Sequence, residues 1–414
     1  MRTKMFVAVA ALFLFALSLY VPQEASAVPA FARQTGMACN TCHFQHFPTL
    51  NSFGRAFKAG GYTMVGGQSL IEGDFLSMPS TLNASLITKV RFQKTDGAVE
   101  TGTNKGEFQF PDEAALLIGG RAGEHVGFLL EASLKDGDSR FTSFKMPFTY
   151  TIANDTKLSV IPFSTDAAGA AYGYELFNTG ALRIDRPIEH REQISAQQFL
   201  GSDVSATGIA FVVHRDLYHA NYTMWSNNHG DTDAGPYLHY ARLAFTPTYA
   251  GWDLGVGLQW WGGTGKMSSA YTKADLWAID AQAQGMVAAF PVGVYVSYGK
   301  AGKSDAGEAA NLFNGSLTDD TDAFGLLVEV GVIPNRLTLA AGYLTGNAAG
   351  SSASAGMNGN TAAGSQTAFT LGANYQLTQN VNLVWNSSFH GGDAFDPDPA
   401  NGDQLHTAQI FAAF

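Results

Sequence analysis

The sequence is poor in charged residues, in cysteine and in long apolar runs. Only 14% of its 414 residues are charged, whereas 12% are aromatic and 46 are glycine. This composition differs from that of a disordered acidic chain and from that of an ordinary soluble enzyme. The formal net charge of −11 leaves too little positive charge to neutralise a row of phosphates, so we expect no nucleic-acid partner.

The scarcity of cysteine and of long apolar runs also restricts the fold. The chain has 2 cysteines, too few for a disulfide scaffold. Beyond the N-terminal 27 residues, no segment contains 18 consecutive apolar residues, the minimum for a membrane-spanning helix. A mature chain that crosses a membrane must therefore do so with strands, because only helices and closed barrels satisfy all backbone groups in lipid.

The first 27 residues have the pattern of a signal peptide. Arg2 and Lys4 precede an apolar run over residues 5–21, and the small residues Ala25-Ser26-Ala27 follow. A membrane anchor is the alternative, but polar residues at 23 and 24 interrupt it. We expect cleavage before Val28 and secretion across the inner membrane.

The rest of the chain alternates apolar and polar or small residues with the two-residue period of strands. One face is apolar and ends in aromatics, and the other suits either solvent or a barrel lumen. A soluble sandwich and a membrane barrel share this period, but the signal peptide, the glycine content and the terminal Phe414 favour a barrel. The clearest apolar faces are Leu254, Val256, Leu258 and Trp260; Val292, Val294, Val296 and Tyr298; and Phe369, Leu371, Ala373 and Tyr375.

The connections alternate between long and short when they are counted back from Phe414. This alternation is typical of outer-membrane barrels, which have short periplasmic turns and long outer loops. We predict an all-β fold, an antiparallel outer-membrane barrel of about 16 strands over residues 81–414, in contact with lipid of the bacterial outer membrane. The long connections are 390–403, 347–366, 301–321, 262–274, 227–236 and 164–203, and the short ones include 376–380, 333–336, 286–290, 247–251 and 214–216.

Residues 28–80 lack this period and contain the pentapeptide Cys39-Asn40-Thr41-Cys42-His43, which has the spacing of a haem c attachment motif. The thiols of Cys39 and Cys42 add across the haem vinyl groups, and His43 is the expected proximal ligand of the haem iron. A disulfide or a zinc half-site is the alternative. We predict one covalently attached haem c on a short segment, sheltered by the barrel lumen because some fifty residues bury a haem poorly.

The sequence offers three residues to consider as the second axial ligand of the haem iron, His46, Met64 and Met78. His46 lies on the same helical turn as His43 and would face the same side of the porphyrin, so we reject it. Met64 and Met78 lie far enough along the chain to reach the distal side, and a thioether ligand would raise the haem potential. A packing role is the alternative for each methionine.

The N-terminal segment resembles that of fused monohaem cytochrome c-porin proteins, the outer-membrane iron(II) oxidases of iron-oxidising bacteria. The resemblance implies a cytochrome followed by a porin barrel on one chain, and it places the haem on Cys39, Cys42 and His43. It fixes no iron(II) ligands. The residues that carry it are PAFARQTGMAC over 29–39, then Cys42-His43, Phe47-Pro48, Phe53-Gly54-Arg55, Phe57-Lys58 and Gly61-Tyr62.

Iron(II) favours carboxylate and imidazole ligands, and one cluster of these lies in the longest outer connection. Glu189, His190 and Glu192 stand close together there, and a loop of that length can fold into a barrel. A loop that only narrows the pore is the alternative. The acidic stretches 229–233, 319–322 and 393–398 are weaker candidates, because charged loops are usually solvated.

Three functions are compatible with this reading. The protein could be an electron conduit, in which extracellular iron(II) reduces the haem and a periplasmic cytochrome c or copper protein takes the electron. It could instead be a diffusion porin with a haem-bearing plug, or an outward conduit to extracellular acceptors. The sequence does not fix the direction of electron flow, because a haem potential depends on its distal ligand and surroundings.

Overall fold

The computed structural model describes residues 29–414, except for 75, 99–101, 136–140, 153–154, 181–194, 231–236, 268–269, 308, 349–362 and 393–401. The expected signal peptide, residues 1–27, lies outside the described residues. Among the helices that are described, none is long and apolar enough to cross a bilayer.

Sixteen antiparallel spans form a closed barrel, which confirms the predicted fold class. The last span pairs with the first, from Leu405 opposite Thr95 to Ala413 opposite Ile87. The spans are β1 Ala84–Thr95, β2 Glu107–Gly123, β3 Val126–Ser133, β4 Ser143–Lys145 with Phe148–Thr151, β5 Lys157–Thr165, β6 Ala206–Arg215, β7 Tyr218–Ser226, β8 Leu238–Phe245 with Thr248–Tyr249, β9 Trp252–Gly262, β10 Leu276–Val287, β11 Phe290–Ala301, β12 Thr321–Ile333, β13 Leu337–Ala348, β14 Gly364–Thr378, β15 Val381–Gly391 and β16 Gln404–Ala413.

Two spans are interrupted where proline enters the chain. Pro147 falls within the gap of β4, and Pro247 falls within the gap of β8. Proline has no N–H to donate to a strand ladder, so the regular pairing stops there and resumes beyond it. Both pieces of β4 pair with β3 and β5, and both pieces of β8 pair with β9.

The wall of the barrel has an apolar outer face and a largely polar lumen face. On β9, Val256, Leu258 and Trp260 face outward with about half of each side chain exposed, whereas Gln259 is buried on the lumen side. The other spans continue this apolar belt around the molecule. Such a surface is stable against lipid and costly against water, so the barrel spans a membrane.

Short turns lie at one end of the barrel, as the sequence predicts. The connections at 216–217, 288–289 and 334–336 all lie there, together with the first residue of β1 and the last of β16. We call this end the inner mouth. In barrels of this type the short turns face the periplasm.

The N-terminal residues 29–66, here called the plug, lie in the inner mouth. The plug contains helices α1 Ala30–Thr35, α2 Cys39–Cys42 and α3 Ser52–Ala59, and a hairpin of Leu70–Gly73 and Leu76–Pro79 follows it. Its contacts reach spans on opposite sides of the barrel, so it extends across the inner mouth. These contacts join Gln34 to Arg121, Gln45 to Pro291, His46 to Glu329, Phe47 to Phe411, and Arg55 to Asp253.

The connection between β5 and β6 also enters the lumen, where we call it the lumen loop. Its described residues form a 3₁₀ turn over Ala170–Gly173 and a short helix over Ala196–Phe199. Phe199 and Leu200 are fully buried there. They pack on large apolar wall side chains, which makes a hydrophobic core inside the outer half of the barrel. The wall residues of this core include Trp225, Leu238, Tyr240, Trp261 and Leu276, and Phe313 joins them from the connection between β11 and β12.

Candidate functional site

Cys39, Cys42 and His43 line one cavity at the inner mouth, with a volume of about 370 Å³. Plug, wall and lumen loop all contribute to it, so the cavity exists only in the assembled barrel. Its lining is mainly apolar and aromatic, as a porphyrin requires for burial of its faces. The other apolar lining residues include Phe31, Phe47, Leu50, Phe57, Ile87, Leu117, Phe177 and Phe411.

The helical turn α2 sets the spacing of the thiols. The N–H of His43 donates to the carbonyl of Cys39 at 3.0 Å, which closes the turn and brings both cysteines and His43 to the cavity. Both thiols are free and half-buried, and burial raises the pKa of each. The Sγ of Cys39 lies 3.7 Å from the carbonyl oxygen of Gln379 at the inner mouth.

A glycine in α3 lets this helix approach α2 closely. A Cβ on Gly54 would overlap the carbonyl of Cys42, so any larger residue would push the two helices apart. Asn51 caps α3 by accepting a hydrogen bond from the Gly54 N–H at 2.9 Å. The close packing of α2 and α3 therefore explains the glycine at the centre of Phe53-Gly54-Arg55.

His43 lines the cavity beside the two thiols. Its Nδ1 is buried without a hydrogen-bond partner among the described residues, and its ring packs edge-on against Phe47 at 5.2 Å. Burial lowers the pKa of His43 to about 4, which keeps the imidazole neutral and able to bind iron. The thiol pair, the neutral histidine and the apolar cavity together fit a covalently attached haem c.

The methionines proposed as distal ligands lie elsewhere. Met64 and Met78 are about 40% exposed, and neither lines the cavity. The backbone carbonyl of Met64 accepts a hydrogen bond from Gln34, and Met78 pairs with Ile71 in the hairpin. Met37, which the sequence analysis did not consider, does line the cavity.

His46 lines the cavity but is tied to the barrel wall. Its Nε2 lies 2.9 Å from a carboxylate oxygen of Glu329, and its Nδ1 lies 3.0 Å from the carbonyl of Phe47. Tyr295 donates to the other oxygen of Glu329 at 2.5 Å. Sequence reasoning missed this contact because 283 positions separate the partners and no local pattern joins them.

Charged side chains connect the plug, the wall and the lumen loop. Arg55 donates to both oxygens of Asp253 at 2.6 and 2.7 Å, and Lys58 donates to the backbone carbonyl of Glu175. Burial lowers the pKa of Lys58 to about 8. Burial raises the pKa of the Glu175 carboxyl, because burial disfavours the charged form of an acid as well as that of a base.

The predicted iron(II) site in the longest outer connection is not described. Glu189, His190 and Glu192 lie outside the described residues, as do residues 393–398. Within the parts of the chain that are described, no group of three or more His, Cys, Asp or Glu side chains could hold a metal ion.

Comparison with known proteins gives the fold. No family model and no curated protein matches the chain. OmpT, an outer membrane protein of Vibrio cholerae, is similar over 84% of this chain and 100% of that chain, with 11% identity and a TM-score of 0.50. OprD from Pseudomonas aeruginosa covers 83% of this chain and 97% of its own, with 13% identity and a TM-score of 0.43.

A BenF-like porin from Pseudomonas fluorescens Pf-5 covers 82% of this chain and 99% of its own, with 11% identity and a TM-score of 0.43. The closed barrel, its apolar outer belt and the shared fold with OmpT make this chain a porin-like β-barrel of the bacterial outer membrane.

Proposed function

We propose that this protein is an outer-membrane electron conduit that oxidises extracellular iron(II) at a haem c held by Cys39, Cys42 and His43. The observation that carries the proposal is the convergence of these three side chains on one apolar cavity inside the barrel mouth. A haem bound there supplies one-electron redox chemistry. The electron acceptor in this proposal is a periplasmic cytochrome c or copper protein, which approaches the inner mouth.

The chain's own residues would hold and shield the cofactor. The neutral imidazole of His43 is available as an axial ligand, while the aromatic lining excludes water from the porphyrin faces. Gly36, Ala38 and Asn40 are exposed beside the half-buried thiols. The attachment edge is therefore the part of the site nearest the periplasm, which suits electron transfer to a docked carrier.

A diffusion porin with a haem-bearing plug is the second candidate, and the fold shared with OmpT favours it. The plug contacts and the apolar core of the outer half oppose it, since both narrow the path that a diffusing solute would take. An outward conduit uses the same site with the opposite direction of electron flow.

The visible spectrum of the purified holoprotein tests the proposal. We expect anaerobic iron(II) to produce the sharp bands of a reduced c-type haem, because an electron from iron(II) reaches the haem. Zinc(II) at the same concentration is the matched control and should leave the oxidised spectrum unchanged. If iron(II) also leaves it unchanged while dithionite reduces the haem, the protein is not an iron(II) oxidase.

Conductance measurements distinguish the proposed electron conduit from a diffusion porin. In planar bilayers, a diffusion porin would show open-channel currents that persist with the plug in place. We expect the native chain to conduct poorly compared with an open porin of the same strand number.

A further inference from the structure

Two histidines and a tyrosine bring polar atoms together in the lumen, outside the cavity lined by Cys39. His214 on β6 and His219 on β7 are direct cross-strand partners. Tyr174 of the lumen loop packs its ring edge-on against both imidazoles. All three residues are buried, with exposures of 9%, 0% and 2% respectively.

The polar atoms of this trio lack hydrogen-bond partners among the described residues. They are both ring nitrogens of His219, Nδ1 of His214 and the hydroxyl of Tyr174. A buried polar group without a partner costs about 1–3 kcal/mol. Several such atoms in one place are explained by a bound species, an ion or water, that satisfies them.

The spacing of the rings fits one shared metal ion. Because a histidine nitrogen lies roughly 2.1 Å from a bound metal, two imidazole centroids on one ion are separated by at most roughly 6.5 Å. The centroids of His214 and His219 are 6.2 Å apart, and Tyr174 lies 5.5 Å from His219 and 6.5 Å from His214. The His214–His219 separation is close to the upper limit, so a shared ion would hold the two imidazole nitrogens on nearly opposite sides. A phenol oxygen reaches farther from its ring than an imidazole nitrogen, so all three residues could bind the same ion.

The charged side chains that act on His219 are all basic, namely Arg242, Arg55 and Lys58, so a cation at the trio depends on the carboxylates that pair with them. The cationic side chains nearby are paired with carboxylates: Arg242 lies 2.5 Å from Asp280, and Arg55 lies 2.6 Å from Asp253. The other charged groups that act on the two histidines are Lys58, Lys157 and Asp216, and Glu175 contacts both Arg242 and Lys58.

We propose that His214, His219 and Tyr174 bind one first-row divalent metal ion, with iron(II) as the ion in the function proposed above. The identity of the ion rests on that function, whereas the site rests on the geometry. Imidazole suits Fe, Cu, Ni and Zn ions. Phe177 packs against His219 at 5.8 Å and also lines the cavity of Cys39, so the metal lies one side chain away from the proposed haem.

This position gives the bound ion a defined role. Iron(II) at the trio would release one electron to the oxidised haem and become iron(III), while the haem becomes reduced. The lumen site would thus be a substrate site beside the cofactor, on the inner half of the barrel.

Zinc(II) binding to the holoprotein tests the site without redox turnover. Zinc is measured by equilibrium dialysis and elemental analysis, and we expect about one equivalent in the native chain. His214→Leu and His219→Leu should each weaken zinc binding at least tenfold. His125→Leu is the matched control, because His125 is exposed at a short turn and should leave zinc binding unchanged.

Tyr174→Phe removes only the hydroxyl, so it tests the site even if the leucine variants fold poorly. It should weaken zinc binding while preserving the haem spectrum. A native protein that binds no zinc, or one that loses its zinc with His125→Leu, overturns the proposal, and the trio then holds water.

The two proposals fail separately. Zinc binding at the trio together with a haem that iron(II) does not reduce would retain the metal site and reject iron oxidation. Haem reduction at the native rate in a His219→Leu chain that no longer binds zinc would retain iron oxidation and reject the trio as its substrate site.

Discussion

Lys58 shows the energetic cost of burying a charged plug residue inside the barrel. Its ammonium group lies against the backbone of Glu175 in the lumen loop, where burial lowers its pKa to about 8 from an ordinary value of 10.5. A protonated Lys58 therefore weakens the seating of the plug. The contact has a compensating effect, because it joins the plug to the loop that lines the cavity.

The pH dependence of plug seating follows from this lysine. Below pH 8 Lys58 is protonated in both the seated and the released plug, so the burial penalty is complete. As pH rises from about 8 to 10.5 the seated lysine loses its proton first, and seating strengthens by about 2 kcal/mol, a value reduced for partial exposure of the side-chain stem.

Urea-dependent proteolysis of the plug measures this change. Wild type and Lys58→Met are compared at each pH, which cancels the pH dependence of the protease. We expect the variant to resist proteolysis better than wild type at pH 7.5, and the difference to vanish near pH 10.5. A difference that is constant over this range would show that Lys58 titrates normally.

Individual site residues were predictable only where chemistry fixes a local spacing. The motif Cys39-Asn40-Thr41-Cys42-His43 is such a case, since the haem attachment proposed for it requires two thiols and a histidine close together in the chain, and the structure brings all three to one cavity. The trio of His214, His219 and Tyr174 is not, because its members come from two strands and a loop. The turn between β6 and β7 gave the only signal, since a tight hairpin places His214 opposite His219.

At the scale of elements, α3 anchors the plug to the barrel wall. Arg55 on α3 donates both of its short hydrogen bonds to Asp253 at the start of β9. The side chain of Arg55 is 6% exposed and that of Asp253 is 18% exposed, so the loss of one partner leaves a charge without enough water around it.

Removal of this ion pair should release the plug. Arg55→Met strands the Asp253 carboxylate and should weaken plug seating by about 2 kcal/mol, on the order of 30-fold in the released fraction. Adding Asp253→Asn should recover much of the loss, because no unpaired charge remains. Protease accessibility of the plug measures seating in the single and the double variant. If both variants release the plug equally, Arg55 and Asp253 do not stabilise it as a specific ion pair.

The strands were the predictable elements and the lumen contents were not. Two-residue alternation and the lengths of the connections indicate each span, because a barrel wall imposes both on the sequence. The folding of the lumen loop into the barrel has no such signature. Phe199 and Leu200, for example, lie in a connection whose sequence has no regular hydrophobic period. Their burial is explained only by the wall residues that face them.

At the scale of the whole molecule, the barrel and the plug are stabilised by separate interactions. The wall closes through backbone hydrogen bonds between β1 and β16, which involve neither cysteine of the motif. The plug depends on side-chain contacts to that wall. Failure of one part therefore need not prevent formation of the other.

The double variant Cys39→Ala, Cys42→Ala tests this independence and the haem assignment together. We expect it to lose haem staining after denaturation, because no thioether bond can form, yet to keep the heat-modifiable migration of a folded barrel on gels. Thr41→Ala lies in the same turn without a thiol and should retain haem. Covalent haem in the double variant would reject the attachment site.

The closing seam has a consequence for the order of maturation. Ile87 on β1 and Phe411 on β16 belong to the first and last strands, whose pairing closes the wall, and both line the cavity. The cavity is thus complete only when the ends of the barrel have met. In the proposed holoprotein, the haem on α2 therefore gains its full apolar enclosure only once the first and last strands have paired, so closure of the barrel also completes the burial of the cofactor.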